Sequence, residues 1–313
     1  MPLVEVLRTL DGRRRDLVHC LIADVHAAAG RRPLSDQLWL DLTGSPREGF
    51  VAALAWEDDT LTGYGQLARG HDGSTLEIVV DAEHEPTGAR PLLDAALGAV
   101  AESGGGDVHW WMFDPSPALE AVALAAGLED RRALFQMRTA LPLPDDVAGG
   151  ARGVATRPFR IGEDEHAWLE VNNAAFAGHP EQGGWDLATL CRREEQPWFD
   201  PKGFLLHERD GRLAAFCWTK LHEDESPVLG EIYVIAVHPA FHGLGLGKAL
   251  TVAGLDHIAQ RGITTGMLYV DRDNAAAVSL YRRLGFTTHR TDRAFVATVP
   301  AVAPPHLTSG DTA

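Results

Sequence analysis

The chain has 313 residues, 45% hydrophobic and 23% charged, a length and composition that suit two globular domains and exclude a disordered or collagen-like protein. A formal charge of −16 creates a field that repels nucleic acid and anionic lipid, so neither is expected as a partner. Cys20, Cys191 and Cys217 form no C-x-x-C spacing. With no signal-like N-terminus and no apolar run of the ~18 residues a bilayer span needs, a protein of the reducing cytoplasm is expected.

In chain order, N-terminal helices precede FVAALAWEDDTLTGYGQ, which reads as a strand, a charged turn and a second strand. A strand ending at Leu76 to Val80 leads through DAEHEPTGAR to the helical PLLDAALGAV. Asp107 to Phe113 then reads as a strand and PSPALEAVALAAGL as a helix. LPLPDDVAGGARGVATRP carries no sustained period and reads as an interdomain connection. The pattern then recurs: FLLHERDGRLAAFCWTK as a hairpin, Glu231 to Val237 as a strand, HPAFHGLGLG as a turn, KALTVAGLDHIA as a helix, Met267 to Asp271 as a strand and RDNAAAVSLYRRLGF as a helix. Gly88 with Gly245, and Gly127 with Gly285, correspond at nearly one offset, which argues for a tandem duplication. The expected organisation is a mixed α/β domain over 1–143, a linker over 144–157, a second such domain over 158–300 and a loose tail over 301–313.

His242-Gly243-Leu244-Gly245-Leu246-Gly247-Lys248 follows a β-rich run and opens a helix. That arrangement points unpaired N–H groups and the positive end of a helix dipole at one spot, where a phosphate or pyrophosphate fits. A nucleotide-triphosphate loop fails on spacing, because His242 and Ala249 stand where Gly and Ser or Thr are required. A dinucleotide fold fails because its glycines come soon after a first strand, whereas these alternate and come late. No metal is expected: the sequence has no H-E-x-x-H pair, and Asp271-Arg272-Asp273-Asn274 lacks the rest of a calcium loop. Thiol catalysis lacks support, since Cys20 and Cys217 lie in apolar runs and Cys191 has no base beside it.

EIYVIAVHPAFHGLGLGKAL and LYVDRDNAAAVSLYRRLGF resemble the acetyl-coenzyme A motifs of the GNAT superfamily of N-acetyltransferases. The first matches at Gly245 and Gly247, with His242 departing from the usual Gln or Arg, and the second matches at Asn274, Ala277, Tyr281, Gly285 and Phe286. The resemblance implies tandem domains, each a mostly antiparallel twisted sheet with splayed central strands. It also implies acetyl-coenzyme A contacts from Ile235, Ala236 and Val237, from His242 to Lys248, and from Asn274, Ala275, Ala276, Ala277, Val278 and Ser279.

More narrowly, the duplication, PLSDQ, HPEQGGW, WTK, GEIYVIAVHP and LYVDRDN are similar to the mycothiol synthase family. Members acetylate the cysteinyl amine of cysteinyl-glucosaminyl-inositol, so a small thiol-sugar substrate and a monomer are expected. The similarity assigns substrate contacts to Asp36, Glu181, Lys220, Glu231 and Tyr269; Asp36 is one methylene shorter than the Glu more common there.

Acetyl transfer to an amine needs a neutral nucleophile, a stabilised oxyanion and a proton for the departing thiolate. Glu231 is the candidate base, directly or through water, and an ordinary solvated strand-end carboxylate is the alternative. Tyr281, on one helical face with Asn274, is the leaving-group acid by resemblance and a core tyrosine by periodicity alone. The oxyanion donor is expected among main-chain N–H groups near Ala236 or Val237. Lys220 and Glu181 read equally as substrate partners or surface charges. In the first half, Glu85 places negative charge where phosphate would lie, Pro86 removes a donor, and Ser116 and Ala123 stand at the positions of Asn274 and Tyr281. That half is expected to be non-catalytic and to supply Asp36 to the substrate site. A GNAT enzyme for another amine, such as an aminoglycoside or a protein N-terminus, and a coenzyme A-binding module without turnover are the competing functions.

Overall fold

The two hairpins read from the sequence form, Val51–Glu57 with Thr60–Arg69 and Phe204–Arg209 with Arg212–His222. The computed structural model describes residues 2–70, 73–81, 84, 85, 87–178, 182–223 and 225–302. Two compact units form, one from the chain up to Arg131 together with the chain from Arg293, the other from Arg132–Asp292.

The first unit opens with β1 (Leu3–Leu7), α1 (Gly12–Ala29) and α2 (Asp36–Thr43). Asp11 caps α1 by accepting from the Arg14 N–H. The strands β2 (Val51–Glu57) and β3 (Thr60–Arg69) form a hairpin, followed by β4 (Ser74–Val80), α3 (Ala89–Glu102), β5 (Gly106–Met112) and α4 (Pro117–Ala125). Their sheet runs β1-β2-β3-β4-β5 and is antiparallel except for β4 against β5. One face buries Leu92, Leu93 and Ala96 of α3, the other Val18, Leu21 and Ile22 of α1 with Leu38 and Leu42 of α2. These interleaved faces are the physical content of the alternating strand pattern.

The strand β6 (Glu129–Ala140) leads into the second unit, whose further elements are α5 (Asp145–Ala148), β7 (Arg157–Pro158), α6 (Glu165–Ala175), α7 (Leu187–Glu194), β8 (Phe204–Arg209), β9 (Arg212–His222) and β10 (Leu229–Val237). After these come α8 (Leu246–Gln260), β11 (Thr265–Asp271), α9 (Ala275–Arg283) and β12 (Thr287–Val299). The sheet order is β7-β8-β9-β10-β11-β6. An aromatic cluster centred on Trp168, Phe204, Phe216 and Trp218 fills the face under α6 and α7, while Leu250, Leu255 and Ile258 of α8 and Val278 of α9 fill the other.

The compact units do not divide at the expected 143 and 158. Residues Leu134–Ala140 of β6 pair along the whole of β11, and Arg293–Val299 of β12 pair with β5. Strand pairing of this kind leaves no local mark in a sequence. The 144–157 segment is not a bare linker either, since it contains α5 and a short 3₁₀ turn, Ala148 is buried in the second unit's core, and Val147, Ala151 and Val154 pack against it. At the tail, the Val302 N–H donates to the Ala101 carbonyl at 3.0 Å; residues 303–313 lie outside those described. No described helix is long and apolar enough to cross a membrane.

The helix α8 approaches its sheet closely at Gly254, where a Cβ would lie 2.5 Å from Cys217 Sγ and 2.7 Å from Ile232 Cδ1. Gly254→Ala is therefore expected to lose about 1–3 kcal/mol by overpacking, read as a lower urea midpoint at constant m-value. Gly98, an exposed helical glycine with no atom within 4 Å of its Cβ position, is the control. Gly98→Ala should gain about 0.5–1 kcal/mol.

Candidate active site

The parallel strands β10 and β11 are in register only at Gly230–Gly266, Glu231–Met267 and Ile232–Leu268. Beyond Ile232 they part: β10 continues to Val237 paired with β9 alone, and β11 continues to Asp271 paired with β6 alone. Tyr233 interrupts the β9 register, a bulge at the point of divergence. The stretch containing Ile235, Ala236 and Val237 thus presents one edge of its main chain to no strand, and a ligand can bond to it.

The chain turns at Pro239–Phe241 and enters α8 through the glycine loop. Gly243 and Gly245 have φ of 79° and 75°, left-handed conformations that favour glycine. Gly247 has no such requirement, yet no atom lies within 4 Å of a Cβ at 243, 245 or 247. The loop keeps open space over the N-terminus of α8, which has no side-chain cap, so its first N–H groups are available to a pyrophosphate. His242 Nε2 lies 3.0 Å from the Val237 carbonyl and ties the loop to the strand end. Lys248 Nζ would stand 3.5 Å from a Cβ at Gly149. Leu244 is exposed and Leu246 buried.

Glu231 and Lys220 are cross-strand partners, each only 5% exposed. The solvated strand-end carboxylate and the surface lysine are therefore overturned, because the strands place both under the α6/α7 face. Lys220 Nζ sits 4.5 Å from the Trp198 ring centroid and 5.3 Å from that of Tyr233, within cation–π reach of both rings. Glu231 Oε2 lies 2.7 Å from His222 Nε2. On β11, Tyr269 shows its ring to solvent while its hydroxyl accepts from Gln136 Nε2 at 2.9 Å and Arg290 Nη2 at 2.7 Å. Burial of that hydroxyl pushes its pKa up. Arg138 donates to Gln136 Oε1 at 2.9 Å, and Arg290 pairs with the buried Asp292 at 3.1 Å.

Tyr281 projects into the core on the opposite face, with Ile232, Leu268 and Cys217. Burial pushes its phenol up to about 12, and its hydroxyl makes no hydrogen bond among the described residues. Cys217 is fully buried and its thiol is pushed up by desolvation, which removes it as a nucleophile. Asn274 caps α9 through its side-chain oxygen, 3.1 Å from the Ala277 N–H. Ala275, Ala276 and Ser279 are exposed, Ala277 is half-buried and Val278 is in the core. Ala275, Val278 and Ser279 also line a cavity of about 540 Å³ with Phe135 and three arginines.

Residues 166–286 match the Acetyltransferase (GNAT) family. The chain is 44% identical over 297 residues to the mycothiol acetyltransferase of Acidimicrobium ferrooxidans, covering 91% of this chain and 94% of that one. It is 42% identical to the mycothiol acetyltransferase of Streptomyces griseus subsp. griseus, covering 92% and 94%. This chain belongs to the mycothiol acetyltransferase family. The fold likeness extends to a GCN5-related N-acetyltransferase from Sphaerobacter thermophilus, with a TM-score of 0.69, 20% identity and coverage of 96% and 98%.

In this mycothiol acetyltransferase family member, the described residues at the equivalent positions of the first unit differ. Gly88 has an ordinary right-handed φ of −78°, and a Cβ there would meet the His84 carbonyl at 3.1 Å and Val80 Cγ1 at 3.2 Å. Glu85 accepts from Ser116 Oγ at 3.0 Å; Pro86 lies outside the described residues. Ser116 caps α4 as Asn274 caps α9, and Ala123 is buried with no hydroxyl to offer. Glu77, opposite Gln66 as Glu231 is opposite Lys220, accepts from the Ser35 N–H at 2.8 Å at the start of α2. The first residue of α2, Asp36, is ion-paired with Arg32. Glu181 lies outside the described residues.

Sequence reasoning missed His222, Gln136, Arg138, Arg193 and Arg290. The spacing of two between Lys220 and His222 on a strand puts both on one face, a signal that could have found His222. Gln136 and Arg138 share a face by the same rule, but their neighbours are set by the β6–β11 pairing. Arg193 of α7 stacks 3.9 Å from the Trp185 ring centroid and donates to Tyr233 at 3.2 Å. It emerges only once α7 is docked.

Proposed function

We propose that the second unit transfers the acetyl group of acetyl-coenzyme A to the cysteinyl amine of cysteinyl-glucosaminyl-inositol, the step that yields mycothiol, in the cytoplasm. The observation that carries this reading is the open glycine loop at the end of a splayed strand whose other end bears the buried Glu231. The loop fits a pyrophosphate: its N–H groups are unspent and the space a Cβ would fill is empty. The freed edge of Ile235 to Val237 suits an amide-bearing pantetheine arm. Asn274 to Ser279 complete the cofactor side.

Glu231 takes a proton from the substrate ammonium, leaving a neutral amine to attack the thioester carbonyl. A main-chain N–H near Ala236 or Val237 holds the oxygen as it becomes negative. Ile232 packs in the Tyr281 cluster while its neighbour Glu231 faces away from it, so base and phenol approach the strand gap from opposite sides. That geometry suits a nucleophile arriving on one side and a thiolate leaving on the other. Tyr281, at about 12, stays protonated at every working pH and offers its O–H to the sulfur. Lys220, Tyr269 and Glu181 bind the polar acceptor substrate.

Mass-spectrometric detection of acetyl transfer across an amine panel tests the substrate. Acetylation of cysteinyl-glucosaminyl-inositol in preference to aminoglycosides and peptide N-termini is expected, and preference for another amine would replace it. Free-thiol release is an unsuitable readout because this substrate carries its own thiol.

Glu231→Gln keeps the size and one acceptor but cannot take the proton. Its kcat/KM should fall and then recover as pH approaches the α-amino reference of ~7.7–8.0, over a series from about 6 to 9.5. A loss parallel at every pH and confined to KM would leave Glu231 a substrate contact and not a base.

A further inference from the structure

A buried carboxylate that must accept a proton at one oxygen needs its other oxygen held, or its rotamer and lone pairs are left to chance. Glu231 has such a holder. His222 Nε2 lies 2.7 Å from Oε2, and the side chains are 19% and 7% exposed respectively. An ionised carboxylate only accepts, so the contact requires Nε2 to carry hydrogen and to donate it. His222 ends β9 two residues beyond Lys220, whose register partner is Glu231 itself. The imidazole therefore reaches the carboxylate diagonally across the strand pair, from the more solvent-exposed end.

We propose that His222 is a positioning residue for the base: by holding Oε2 it fixes the carboxylate rotamer and leaves Oε1 to take the substrate proton. The inference rests on Glu231 acting as that base. In the step, an N–H bond of the substrate ammonium breaks and an O–H bond forms at Oε1, with no net change at His222. Oε2 then becomes the carbonyl oxygen of the neutral carboxyl group and still accepts from Nε2–H, so the arrangement survives proton transfer and serves the next turnover. Other charged or titratable groups surround the pair. Lys220 stands on β9, Tyr269 on β11 senses the charge of Glu231, Glu225 lies in the turn whose N–H bonds to the His222 carbonyl, and Arg138 on β6 senses Glu225. Arg290 and Asp292 on β12 reach the site through the Tyr269 hydroxyl and each other.

The test compares His222→Ala and His222→Gln in the full chain, alone and combined with Glu231→Gln, after circular dichroism confirms folding. His222→Ala should lower kcat by about tenfold or more, the share of a hydrogen bond to a charged group, with KM for acetyl-coenzyme A unchanged. His222→Gln restores a neutral N–H donor of similar reach. It should recover most of kcat. In the Glu231→Gln background, His222→Ala should cost little more, because both act through one group. An unchanged kcat in His222→Ala, a loss that Gln does not recover, or full additivity with a Glu231→Gln that behaves as a lost base overturns the positioning role alone. If Glu231→Gln itself shows only the parallel KM loss, the base assignment fails first and this inference falls with it.

Discussion

Gly245→Asp abolishes acetyl-coenzyme A binding while the protein stays folded. Gly245 is the N-cap of α8 with φ of 75°, and aspartate is among the residues that tolerate this region and the preferred N-caps of helices. Its charge also favours the positive end of the helix dipole. The positive φ still strains any L residue there, so the substitution should cost on the order of 1 kcal/mol of stability, too little to unfold the protein. What it removes is the space and potential a pyrophosphate needs: no atom stands within 4 Å of that Cβ position, and a carboxylate there competes for the same N–H groups. Titration calorimetry with acetyl-coenzyme A should show no binding to the second unit. The counterpart Gly88→Asp meets the His84 carbonyl at 3.1 Å and should lower stability modestly while turnover per folded molecule stays near wild type. Equal loss of turnover in both variants would sink the assignment of chemistry to the second unit.

Tyr281→Phe keeps the ring that packs 5.8 Å from Phe286 and deletes only the hydroxyl. At about 12 the phenol is a weaker acid than a thiol of ordinary pKa ~8.5. Its help to the departing sulfur is thus mainly a hydrogen bond that strengthens as negative charge develops. Such a bond contributes ~1.5–3 kcal/mol, and general acid catalysis ~10²- to 10⁴-fold; the ranges meet near ~10²-fold in kcat. Acetyl-coenzyme A affinity should be unchanged. Since the phenol is protonated below about 12, the loss should be uniform across an ordinary pH range. An unaltered kcat, with chemistry shown to be rate-limiting, would return Tyr281 to core packing.

Much of the architecture was legible because it repeats. Both hairpins turn at an aspartate of positive φ, Asp58 and Asp210, and Ser116 and Asn274 both cap the helix their sequences announce. The glycine loop was legible for a different reason: the backbone requires glycine at two of its three positions, which leaves the third, Gly247, to be explained by what approaches it. The acceptor side was less so. Burial of Glu231 and Lys220 depends on α6 and α7 closing over the sheet, and the contacts of Tyr269 come from Gln136 and Arg290, far away in sequence. Pairwise proximity of that kind is decided by strand order, which periodicity does not encode.

The pairing of β12 with β5, and of β6 with β11, also governs how the protein comes into being. As the chain emerges during synthesis, the first unit has its helices and five of its strands early, yet β5 keeps a bare edge until Arg293–Val299 have been made. The domain begun first is thus finished last. A gene cut near residue 150 cannot yield two self-sufficient proteins: one product carries β6 without β11, the other β12 without β5, and each retains an unpaired strand edge open to aggregation. Co-expression of the two pieces supplies each missing strand in trans, and soluble protein is expected from the pair and not from either piece alone.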